Sequence, residues 1–392
     1  MDDSGVDPLS RDAAALGMDD STNAPVEFDE ITPRWLTATL RSYGILADES
    51  VVRCEAEPLP GVPSFTGSFR RLVLTYDRQP PQAPKTLIAK ASTIDPEVRT
   101  MVHSMGLYQR EAMFYRDLAA TTPAPVPLCY FSGLDQEGRS LLLLEDLTAG
   151  RPGRSADCMT PADAELATDM IARVHARWWE SPDLPMHPLL DNDSMMPPGD
   201  STGIFLQHWP TFLAKLSTPV TADVIRWGDA IAQHLEGTVR DLFQTAPLTL
   251  IHHDYQGDNL IFDVDSIGSL SVIDWQLPVR GRGIIDLAYL LSGSLEPSQR
   301  ARTETSLVTR YVAELAAHGV GDYTLAQAFR DYRRALLIPP ARLVMAVGSS
   351  PGMTAHPGAV WEVLFDRQLR ALADNVPVLD DGLRVPTGEP RS

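Results

Sequence analysis

The chain has 392 residues, 44% of them hydrophobic and 22% charged, which excludes a wholly disordered chain and a fibre. Its 33 basic and 52 acidic residues leave a net charge of −19. Such a surface repels phosphate backbones and anionic lipid, so neither nucleic acid nor a membrane is expected as a partner, and a cationic or neutral small molecule suits the overall field better.

Residues 1–24 are rich in Asp, Ser and Ala without periodicity and predict a disordered acidic tail. The start, Met1-Asp2-Asp3-Ser4, lacks the positive charge of a secretory signal. Cys54, Cys129 and Cys158 form no C-x-x-C pair and read as reduced structural thiols, so a cytoplasmic location is expected. The apolar stretch from Ala335 to Val347 is broken by Pro339-Pro340 and Arg342 and is too short to span a bilayer.

A helix is expected over 27–43, then strands over 51–59, 69–76 and 86–91, the first two joined by a turn-forming stretch at 60–68. Residues 103–120 have helical spacing, with Leu107, Phe114, Tyr115 and Leu118 on one face. Glu111 falls within that apolar face, where a carboxylate is costly without a cation, and Lys90 at the end of the third strand is the obvious partner. Strands over 126–132 and 141–144 bring the total to five. These segments give a first unit over 25–147. Residues 148–375 form a second, mainly helical unit, with helices over 162–179 and 221–243, an irregular insertion over 181–203, and helices again over 283–373. Residues 376–392 read as a flexible tail. The fold class is α+β, a small antiparallel sheet followed by a larger helical part.

The strongest chemical signal lies in Leu250-Ile251-His252-His253-Asp254-Tyr255-Gln256-Gly257-Asp258-Asn259-Leu260-Ile261-Phe262. Apolar runs on both sides clamp a polar loop in which Asp254 and Asn259 are five residues apart, the D-x-x-x-x-N spacing of a kinase catalytic loop. One carboxylate can take the proton of an attacking hydroxyl while the amide oxygen holds Mg²⁺. Val272-Ile273-Asp274-Trp275 ends an apolar strand on a second carboxylate suited to the same ion. His252 reads as a loop support, and His175, Trp178 and Trp179 as core residues. Glu145 reads as structural. Asp258 and Asp286 stay open, with a helix cap as the simple reading of Asp286.

With these motifs the chain resembles the aminoglycoside phosphotransferase and choline kinase superfamily, and within it the ecdysteroid kinase-like branch. The match runs through Leu87-Ile88-Ala89-Lys90, Glu111-Ala112-Met113-Phe114-Tyr115, Leu144-Glu145-Asp146-Leu147, Arg173 to Trp179, His252 to Asn259 and Ile273-Asp274-Trp275. It departs at His253, which replaces the usual glycine, and in the loop around Gly61 and Gly67, which is not G-x-G-x-x-G. The resemblance implies a protein-kinase-like two-lobe fold and transfer of the ATP γ-phosphate to a small-molecule alcohol with Mg²⁺. It implies Asp254 as base, Asn259 and Asp274 as metal ligands, and Lys90 fixed by Glu111 on the α- and β-phosphates. Gly67 and Ser68 would cover the triphosphate, and Asp146 and Leu147 would line the adenine pocket. Two other readings stay open. Against a nucleotide-binding pseudokinase stand the intact Lys90, Glu111, Asp254, Asn259 and Asp274. Against a protein kinase stands Trp275-Gln276 with no activation segment behind it.

Overall fold

The computed structural model describes residue 25 and residues 27–59, 66–78, 80, 82–135, 138–184, 188–190, 196–197, 199–264, 268–350 and 359–375. The expected tails, Gly61 and most of the turn before Gly67 lie outside the described residues. The chain divides into two compact units, Met1–Thr122 with Val126–Ala149, and Pro123–Pro125 with Gly150–Ser392.

The first unit is built on five strands: β1 (Val51–Pro58), β2 (Gly67–Tyr76), β3 (Thr86–Ser92), β4 (Cys129–Leu134) and β5 (Ser140–Glu145). They form one antiparallel sheet in the order β1-β2-β3-β5-β4. Successive side chains on a strand point to opposite faces. On β3, Leu87, Ala89 and Ala91 enter a core with Leu72, Leu74, Leu141 and Leu143, closed by Leu36 and Leu40 of helix α1 (Pro33–Ser42). The same alternation turns Lys90 to the other face of β3.

Helix α1 starts later than the pattern suggests, because Pro33 fixes its first turn and the Thr32 Oγ1 accepts from Trp35 N at 3.2 Å. The single helix expected over 103–120 is instead α2 (Pro96–Ser104) and α3 (Leu107–Met113). Gly106 separates them at φ 70°, a left-handed conformation that glycine adopts without strain. Beyond α3 the chain runs on through a wide turn at Phe114–Leu118 and a tight one at Ala119–Thr121. The fourth strand begins at Cys129 rather than 126, since Pro125 and Pro127 have no N–H to give a ladder.

The second unit holds α4 (Pro161–Trp178), α5 (Ser201–Ala214), α6 (Ala222–Gln244), α7 (Ile284–Ser294), α8 (Pro297–Ala317), α9 (Leu325–Ala335), α10 (Ile338–Ser349) and α11 (Val360–Asn375). The irregular insertion expected up to 203 gives way to α5 at Ser201, whose N–H is accepted by Glu236 Oε2 of α6 at 3.1 Å. Pro210 inside α5 disguises its helical pattern. Short strands β6 (Arg151–Pro152), β8 (Leu260–Phe262) and β9 (Leu270–Val272) form one sheet, and β7 (Thr249–Ile251) pairs with β10 (Val279–Gly281). The strands β6 and β10 are too short to leave a sequence signal. Among the described residues, no helix is long and apolar enough to cross a membrane.

Leu87 is fully buried at the middle of the sheet, and Leu87→Ala should cost about 2–5 kcal/mol of stability. Urea unfolding of the two chains measures it; a loss below about 1 kcal/mol would mean that this face is not a packed core.

Candidate functional site

In the second unit, β7 ends at Ile251 and the polar loop returns to β8 at Leu260. The loop is short because Asn259 N bonds Gln256 O at 2.9 Å, closing a tight turn over Gly257–Asn259. Asn259 Nδ2 then reaches back across the loop, donating to the Asp254 carbonyl at 2.8 Å and to its Oδ2 at 2.9 Å. The neighbouring strand brings Asp274 to the same place, since Ile273 N bonds Asn259 O at 3.0 Å. His252 ties the two segments together. Its Nδ1 accepts from Asp254 N at 3.3 Å, so its Nε2 carries the proton given to Ile273 O at 2.9 Å. The loop-supporting role expected of His252 is what its contacts describe.

The central anchor is a residue that sequence reasoning left open. Asp286 is not a helix cap but the third residue of α7, and it is fully buried. Its Oδ2 accepts from His252 N at 2.7 Å and its Oδ1 from His253 N at 2.8 Å. His175 Nε2 meets Oδ2 at 3.1 Å, and His175 Nδ1 meets the Tyr311 hydroxyl at 2.9 Å. His175 and Trp178 are buried as expected, yet His175 also braces the loop through Asp286. Gly283 makes room for this: a Cβ there would lie 2.4 Å from the Tyr311 hydroxyl and 2.6 Å from His175 Nδ1. Asp258 Oδ1 accepts from Ser155 N at 3.3 Å, a bond that tethers the end of the loop.

Two non-glycine residues of the site have positive φ, His253 at 65° and Asp274 at 63°. Each costs of order 1–3 kcal/mol and persists only where surrounding bonds enforce it. Asp286 provides that enforcement at His253, which explains how a histidine stands where the resemblance expects glycine. The His253 ring packs edge-on to Phe243, 5.3 Å between centroids.

Although Asp254 as a residue is only partly buried, surrounding protein atoms raise its pKa by desolvation, and the Asp274 charge adds to that; Arg342 opposes both. A divalent cation would relieve the repulsion between the two acids. The donors fit one: both N–H groups of the Asn259 amide are used within the loop, which leaves its Oδ1 to accept, and the Asp274 carboxylate is a hard oxygen ligand of the kind Mg²⁺ prefers. No group of three or more His, Cys, Asp or Glu side chains among the described residues forms a closed metal cage. An ion held here would keep positions open for phosphate oxygens and water.

In the first unit, Lys90 Nζ and Glu111 Oε1 are 2.7 Å apart with side chains only 6% and 3% exposed. The pair joins β3 to α3, as the apolar stripe around Glu111 demands. Lys90 Nζ also lies 5.7 Å from the centroid of the Phe69 ring. Gly67 and Ser68 open β2 opposite Ser92 and Ala91, one strand from Lys90. Asp146 and Leu147 follow β5 directly. The Asp146 carboxylate is engaged, accepting from Arg71 Nε at 2.6 Å and from Thr148 N at 2.9 Å. Glu145 Oε2 accepts from Leu128 N at 3.1 Å, in keeping with a structural role.

Two consequences are measurable. Glu111→Ala leaves the buried Lys90 charge uncompensated and should destabilise the protein by roughly 3–5 kcal/mol, read as a fall in Tm, whereas Glu111→Gln should cost less. Burial raises the Asp146 pKa, but hydrogen bonds from Thr148 and Arg71 outweigh it and lower the value to about 2. The folded value lies below the unfolded value of about 3.9. The stabilisation is therefore complete above that pH and fades as pH falls toward 2. Arg71→Gln should reduce stability at neutral pH and flatten its decline between about pH 5 and pH 2, seen in acid titrations of circular dichroism.

The phosphotransferase enzyme family matches over residues 94–334, more than half of the chain. No curated protein matches the sequence. A Ralstonia eutropha protein assigned as an aminoglycoside phosphotransferase is 18% identical, with 88% of this chain and 98% of that one covered and a TM-score of 0.52. A microcompartment-associated aminopropanol kinase is 15% identical, with 85% of this chain and 94% of that one covered and a TM-score of 0.50. At these identities the likeness is one of fold, and it places the α+β architecture among protein-kinase-like phosphotransferases. The chain belongs to the phosphotransferase enzyme family.

Proposed function

We propose that the chain is an ATP- and Mg²⁺-dependent kinase that phosphorylates a hydroxyl of a small molecule. The observation that carries this reading is the loop in which Asn259 holds both the carbonyl and the carboxylate of Asp254, with Asp274 alongside. In the reaction, the acceptor oxygen forms a bond to the γ-phosphorus while the bond from that phosphorus to the bridging oxygen of ADP breaks. Asp254 orients the hydroxyl and takes its proton; the raised pKa that burial gives it favours this role. Asn259 Oδ1 and Asp274 would hold Mg²⁺, which when bound neutralises phosphate charge.

The first unit contributes the groups that would meet the nucleotide. Lys90, kept in place by Glu111, supplies a positive charge for the α- and β-phosphates. Gly67 and Ser68 supply backbone to cover the triphosphate. With the Asp146 carboxylate used by Arg71 and Thr148, Asp146 and Leu147 would meet adenine through their main chain. The match at Arg173 to Trp179 favours an ecdysteroid kinase-like relative. The three free thiols suit the cytoplasm.

The test is ADP release from MgATP across a library of alcohols, amino alcohols, antibiotics and sterols. Asp254→Asn should lower acceptor-dependent turnover by about 10²–10⁴-fold while MgATP binding persists. Equal turnover by the two chains would sink the assignment of Asp254, and failure to bind MgATP would sink the kinase reading.

A further inference from the structure

The second unit places a cation beside Asp254 that phosphoryl transfer itself does not require. Arg342 extends from α10 and donates from Nη1 to the His253 carbonyl. Its guanidinium lies over the Tyr289 ring, 5.2 Å from the centroid, and its charge acts on Asp254. Tyr289 is 8% exposed, so Arg342 rests on a largely buried floor beside the loop that carries Asp254.

A guanidinium carries five N–H donors in a planar fork. Among the described residues, Arg342 spends a donor on the His253 carbonyl, and the residue is only partly buried. An acceptor hydroxyl must come within hydrogen-bond distance of Asp254, which brings the atoms next to it close to the remaining donors. An ammonium group there is repelled, whereas a carboxylate or phosphate finds a fork that matches it. The net charge of −19 does not reverse this, because exposed charges beyond about 8 Å are screened at physiological salt.

We propose that the acceptor is an alcohol that also carries an anionic group, a carboxylate or a phosphate, bound by Arg342. The assignment rests on the phosphotransfer reading given above and refines its substrate class. It sets this chain apart from the two similar structures, whose names specify amine-bearing acceptors. The transfer is unchanged: the hydroxyl of this alcohol gains the phosphoryl group, ADP leaves, and the hydroxyl proton passes to Asp254.

The experiment compares kcat/KM for ADP release with MgATP and four classes of acceptor matched in length. Hydroxycarboxylates such as 3-hydroxybutyrate and phosphate-bearing alcohols such as glycerol 3-phosphate are the anionic arms. Diols and hydroxyamides are neutral, and amino alcohols such as 3-amino-1-propanol are cationic. One anionic class should exceed the neutral class by about tenfold or more, and which one does so identifies the group. Arg342→Gln should remove that preference and Arg342→Lys should keep part of it. Each comparison is a ratio within one variant, so a general disturbance of the loop cancels. If Arg342→Gln does not fold, the wild-type ranking and Arg342→Lys decide. A cationic or neutral class that outranks both anions, or a preference that survives Arg342→Gln, overturns the proposal and leaves the kinase reading standing. No turnover with any class overturns both.

Discussion

The helical unit depends on a single buried carboxylate. An ionisable group taken out of water is costly unless its lone pairs are satisfied, and Asp286 meets that condition with two backbone N–H groups of the loop and one imidazole. The same three bonds dictate the path of the chain through His252 and His253 and hence the position of Asp254. A left-handed histidine, unfavourable by itself, is held in place by the bonds that satisfy the acid.

Much of this was legible in the sequence, and the limits have physical causes. The five strands of the sheet follow from period-two alternation and the Lys90–Glu111 pair from a carboxylate placed on an apolar helix face. Asp254, Asn259 and Asp274 stand out in the sequence because the spacing within the loop is local and reflects what a loop can span. Asp286 stays open in the sequence because its partners lie 33 and 34 residues away, and nothing in the run Asp286-Leu287-Ala288-Tyr289 separates a buried anchor from a cap. Arg342 was seen only as an interruption of an apolar stretch. The clue that could have raised both is shared: a lone charge within an otherwise apolar helix demands a partner, the argument that succeeded for Glu111. The boundary errors at α1, α2, α3 and α5 came from proline and glycine at positions where a helix starts, breaks or is disguised.

The two charged centres solve burial differently. Lys90 and Glu111 cancel each other at short range within the sheet unit. Asp254 and Asp274 instead bring like charges near each other in the helical unit, and Arg342 opposes their effect at Asp254.

Helix α7 grips the loop at both ends. Asp286 in its first turn holds His252 and His253, and Ser294 at its last residue accepts Gly257 N through Oγ at 2.8 Å. The spacing of these two grips along one rigid rod fixes the distance the loop must bridge. Loop and helix are therefore a single transferable module: a graft of residues 252–259 into another scaffold would carry the chemistry without its ruler, and an insertion within α7 would rotate one grip away from the other. Arg342 of α10 touches the loop from outside this ruler, through the His253 carbonyl.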